Sequence, residues 1–97
     1  MTSHHGDHTA QPGMVVTIRY EAMGETETFL LGRRGAPAGV KVYSMASPLG
    51  RAIAGARPGE RRVYSIPNET QLLVTVVDAV PYELAETTAR AARGETQ

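Results

Sequence analysis

The pair Ser47-Pro48 is the clearest helix start in a chain whose remaining pattern is alternation, and it restricts the fold more than any other feature. Serine there caps a helix by accepting from the free N–H groups of the first turn, and Pro48 takes the first helical position, where its missing donor costs nothing. The helix is expected to end near Gly55, a natural C-terminal cap, after presenting Leu49, Ala52, Ile53 and Ala56 at helical spacing. Gly50 and the alanines keep it thin. A helix so short has no stability of its own and must lie close against a sheet.

The sheet is written on both sides of it. In "MVVTIRY", Met14, Val16, Ile18 and Tyr20 share one side of a strand and Val15, Thr17 and Arg19 the other. Gly24 breaks the run, and "ETETFLLG" supplies a second strand, with Phe29 and Leu31 on one face, that forms a hairpin with the first. Glu25 and Glu27 read as solvent-facing charges. "RRGAPAG" is a small-residue loop and "VKVYS" a short third strand. Beyond the helix, Pro58-Gly59 turns the chain. "ERRVYSI" then offers Tyr64 and Ile66 inward, and "QLLVTVVDAV" offers Leu72, Val74 and Val76. If Arg62 faces inward with Tyr64, its guanidinium must reach the rim or find a partner, because an unpaired buried charge is costly. The order strand-strand-strand-helix-strand-strand predicts an α+β fold for residues 14–83. It is flanked by a polar, disordered tail over 1–13 and a polar tail or frayed helix over 84–97.

Composition narrows the function. A chain of 97 residues is one domain. It has no cysteine and no tryptophan, so thiol catalysis, disulfides and Cys-type zinc sites are excluded, and a single Phe with four Tyr leaves little for a large aromatic pocket. The cysteine count suits a reducing cytoplasm, and no run approaches the roughly 20 apolar residues that cross a bilayer. All three histidines, His4, His5 and His8, lie in the N-terminal tail, so no ordered Ser-His-acid arrangement can use them, and no metal or other cofactor is expected. There is no phosphate-cradling glycine loop. The net charge of zero is unevenly spread: residues 1–32 hold one basic residue against four acidic, 33–62 seven against one, and 63–97 two against five. A basic middle attracts acidic protein or nucleic acid. Aromatic interleaving is limited to Tyr43 and Tyr64, so direct nucleic-acid binding is not expected.

The run "VYSMASPLGRAIAGARPGE", followed by "VYSIPNE" and "LLVTVVDAVPYE", resembles the C-terminal domain of the Gre-type (GreA/GreB) bacterial transcript cleavage factors. The resemblance spans about Val15 to Glu83. It implies an FKBP-like fold: a twisted, mostly antiparallel sheet of about five strands with one short helix packed across it. It also implies docking on RNA polymerase at the rim of the secondary channel. In that family an N-terminal coiled coil carries the acidic tip that stimulates cleavage. Such a hairpin needs several tens of residues at about 1.5 Å rise each, and only thirteen polar residues precede Met14 here, so cleavage stimulation is expected to be absent. The implied partner surface is the corner of Tyr43, Met45, Ala46, Ser47, Pro48, Arg51 and Arg57, with Ala46 standing where the family usually has Asp or Asn. The expected function is a non-enzymatic, cytoplasmic polymerase-binding module. The competing readings are an FKBP-like peptidyl-prolyl isomerase or peptide-binding domain, and a structural or self-associating domain.

Overall fold

The computed structural model describes residues 8–32, 39–68 and 70–82. The elements run β1 (Met14–Tyr20), β2 (Glu25–Leu31), β3 (Val42–Tyr43), α1 (Pro48–Ile53), β4 (Arg61–Ser65) and β5 (Gln71–Pro81). All five strands join one sheet in the order β3-β2-β1-β5-β4, antiparallel except where β3 runs parallel to β2. The α+β architecture and element order expected from the pattern are present.

The β1–β2 hairpin pairs Met14 with Leu31 at one end and Tyr20 with Glu25 at the other. Its turn closes through Gly24 at φ +74°, a left-handed conformation that glycine adopts without a Cβ penalty. Alternation then sends Met14, Val16 and Ile18 of β1, Phe29 and Leu31 of β2, and Val74 and Val76 of β5 to one face. There they pack against Leu49, Ile53 and Ala56. A six-residue helix does not persist alone in water. Burying Leu49 and Ile53, at about 1.5–3 kcal/mol each, is what holds it on the sheet.

Two departures from the expected pattern have local causes. Thr17 pairs with Asp78 but Ile18 with Val76, so Val77 is an extra residue in β5, a β-bulge. The bulge resets the alternation: Val77 and Asp78 are both exposed, and Val76 and Ala79 both reach the core. The third strand is also shorter than expected, two residues of the run from Val40 to Ser44.

Arg62 does face inward, and it finds partners. Its Nε donates to Glu60 Oε2 at 3.1 Å and its Nη1 to the carbonyls of Ala52 and Ala54, each at 3.2 Å. Those carbonyls belong to the C-terminal end of α1, where unsatisfied oxygens and the helix dipole favour a cation.

Residues 8–13, assigned to the N-terminal tail by their composition, are part of the structure. Ala10 is fully buried, donates its N–H to Ala56 O and accepts from Gly55 N–H, while Gly13 N–H donates to Leu31 O. The polar composition concealed this because the anchoring is by backbone. The tail expectations for residues 1–7 and 84–97 fall outside the described residues.

Candidate functional site

Around Ser47 the backbone turns sharply, and the reason is local. Ser47 sits at φ −68°, ψ 158° and its Oγ accepts from Gly50 N–H at 3.0 Å while donating to Ser44 O at 2.7 Å. Its own N–H donates to the same carbonyl at 3.1 Å. The hydroxyl therefore ties the start of α1 to the segment entering it. Ser47→Ala is expected to lower unfolding stability by about 1 kcal/mol, read by urea titration.

Beside this corner lies an open cleft of about 450 Å³, lined by Ala46, Pro48, Arg51 and Ala52 from the helix side and Val63, Ser65 and Pro67 from β4 and the turn after it. Ala46 and Pro48 are exposed at one wall and Arg51 brings a positive charge to the rim. The remaining residues of the expected partner surface fall elsewhere. Ser47 turns its side chain inward as the cap. Tyr43 packs edge-on against Phe29, ring centroids 4.8 Å apart. Met45 is half-buried against the core, and Arg57 lies past the opposite end of α1, its N–H donating to Glu60 Oε1 at 3.0 Å. Ala52, Val63, Ser65 and Pro67 were missed by the sequence reading. The alternation of β4 was visible, but not that its strand would border the helix start.

A second constellation was misread from sequence. Glu27, expected to face solvent, has a side chain only 16% exposed. It shares the core face with Phe29, two residues on, and accepts from Tyr20 Oη at 2.6 Å, Lys41 Nζ at 2.7 Å and Tyr43 Oη at 2.8 Å. Burial pushes its carboxyl upward, but the three donors together outweigh burial and hold it below the usual glutamate range. Burial, with the Glu27 carboxylate as acceptor and neighbour, pushes the Tyr43 phenol up to about 12 and raises Tyr20 further still. The parity with Phe29 was available in the sequence. The partners on Lys41 and Tyr43 were not, since they come from across a loop.

The carboxylate of Glu27 is saturated with donors, and among the described residues no group of three or more His, Asp or Glu side chains gathers as a metal site. No helix among them is long and apolar enough to cross a membrane.

Comparison with known proteins bears on family and fold. The family model described as transcription elongation factor, GreA/GreB, C-terminal, matches residues 5–81. Among curated proteins, the transcription elongation factor GreA of Saccharopolyspora erythraea is 48% identical over 75 residues, covering 75% of this chain and 46% of that protein. GreA of Mycobacteroides abscessus is 48% identical over 77 residues, covering 75% and 47%. The chain thus spans about half the length of the curated relatives it matches. Among solved structures, Thermus aquaticus Gfh1 superposes with a TM-score of 0.59 at 25% identity, over 72% of this chain and 46% of the other. A GreA/GreB factor from Nitrosomonas europaea gives 0.57 at 22% identity, over 74% and 60%, a likeness of fold.

Proposed function

Since the chain belongs to the GreA/GreB family through that family's C-terminal domain, we propose that it is a non-enzymatic module that binds RNA polymerase near the secondary channel and modulates elongation without stimulating cleavage itself. The match of the family model to residues 5–81 carries this reading. The open cleft at the Ser47-Pro48 corner supports it: Ala46 and Pro48 give an apolar wall, Arg51 a cationic rim, and the segment they belong to is the basic third of the chain. A positive rim steers encounter with an acidic partner surface and sets its orientation. Such a partner places the site of action in the cytoplasm. The isomerase alternative gains nothing from the geometry, because Phe29 is buried and Tyr43 covers it, so no open aromatic proline pocket is formed there.

The purified chain is expected to retain core polymerase in a pull-down at micromolar concentration. Reversing the exposed rim charge with Arg51→Glu should weaken retention roughly tenfold with the unfolding midpoint unchanged. No retention by the parent chain ends the proposal.

A further inference from the structure

Strand β4 closes one side of the sheet, with β5 as its sole strand neighbour among the described residues. Its register determines which backbone groups point outward. Val76 N–H donates to Glu60 O at 3.0 Å and Ile66 N–H to Thr70 O at 3.4 Å. In an antiparallel ladder hydrogen-bonded pairs alternate with non-bonded ones, so Arg62/Val74 and Tyr64/Leu72 are the bonded pairs between these limits. The N–H and C=O groups of Arg61, Val63 and Ser65 therefore point away from β5, and among the described residues they have no backbone partner.

Proteins guard such edges with proline, a bulge or free charge. Here β4 has neither proline nor register break. One of its two arginines is occupied. Arg62 is bound to Glu60 and the carbonyls of α1. Arg61 lies in register with Thr75, whose hydroxyl donates to Glu21, so a carboxylate sits nearby. On the outer face, Val63 and Leu73 are directly paired and 54% and 42% exposed, an apolar pair that runs to the edge.

We infer that β4 pairs antiparallel with β4 of a second copy about a two-fold axis through Val63, joining two sheets into one. In that register Val63 meets the partner's Val63, Arg61 meets the partner's Ser65, and Arg62 meets the partner's Tyr64. Every outward N–H and C=O from Arg61 to Ser65 gains a partner and no like charges oppose one another. Moving the axis to Arg62 sets that cation against itself, and moving it to Tyr64 carries Arg61 past the partner strand to Pro67, which has no N–H to give, so charge and backbone pairing together select the Val63 register. The outer face then carries an unbroken apolar stripe from Leu73 through both valines to the partner's Leu73. Val63 and Ser65 also border the cleft assigned to polymerase, so the two readings share this edge, and self-association measured on the chain alone tests the inference without polymerase present.

Sedimentation equilibrium of the full chain from about 5 µM to about 1 mM covers the range expected for so small an interface. A monomer–dimer equilibrium is expected. Val63→Pro removes only an outward N–H, which an edge strand tolerates, and should keep the monomer's unfolding midpoint while weakening association about thirtyfold. Val63→Lys and Val63→Glu should each weaken it, and an equimolar mixture of the two should recover it, since only a register that opposes position 63 to itself couples them. A chain monomeric throughout, a dimer indifferent to these changes, or a mixture no better than either variant alone overturns the inference. So does hydrogen-exchange protection of the β4 amides that appears only when polymerase is added, which would give the edge to a polymerase segment instead.

Discussion

Replacing Gly50 with alanine is expected to destabilise the protein by about 2–3 kcal/mol, although alanine is the better helix former by about 1 kcal/mol. The reason is a close approach. A Cβ at residue 50 would stand 2.1 Å from Ser44 O and about as near as 3.0 Å to Met45 Cα. Both are backbone atoms, and the Ser44 carbonyl is already fixed by accepting from the Ser47 N–H and hydroxyl. The segment before α1 cannot swing aside without giving up the cap, so overpacking outweighs propensity. For a domain of this size the loss should lower the thermal midpoint by roughly 10 °C or more. A Gly50→Ala protein as stable as its parent would show that α1 does not lie on that segment as described.

Glu27→Ala is expected to cost about 2–3 kcal/mol, because it leaves two half-buried phenols without their acceptor. The Lys41 contribution is small, since that ammonium is more than half exposed. Glu27→Gln should recover part of the loss by keeping an acceptor oxygen. The same cluster sets a pH profile. The folded-state carboxyl titrates below its unfolded value, so its contribution is complete above the ordinary glutamate range, near 4.3, and fades as pH falls through the lowered folded value. The phenols are raised on folding, so their contribution is complete below about 10 and fades as pH rises through the folded value near 12 for Tyr43 and higher for Tyr20. Thermal midpoints measured across pH should therefore decline on both flanks, and Glu27→Ala should flatten both. Parallel profiles for the two proteins would remove the cluster from the account.

How far the sequence could be read depended on whether the signal was local. The Ser47 cap, the stop at Gly55 and the inward set Met14, Val16, Ile18, Phe29 and Leu31 follow from spacing within single segments. The bulge at Val77 carries no such mark, because Val-Val-Asp-Ala has neither glycine nor proline to announce it. Tyr43 was assigned to the partner surface because it neighbours Ser47 in sequence. It points to Glu27 and Phe29 because β3 lies parallel beside β2. The cleft likewise joins residues 46–52 to 63–67, a meeting decided by tertiary packing.

The place of β1 between β2 and β5 has a consequence for biosynthesis. As the polypeptide leaves the ribosome, β1 and β2 can zip up at once, but the opposite flank of β1 waits for Gln71–Pro81, and β4 has nowhere to attach until that segment arrives. Closing the gap joins positions some fifty or more residues apart, which places the entropic cost late and in one step. Nascent chains stalled before residue 71 should thus remain protease-sensitive and prone to chaperone capture, with native resistance arriving abruptly once the final strand emerges.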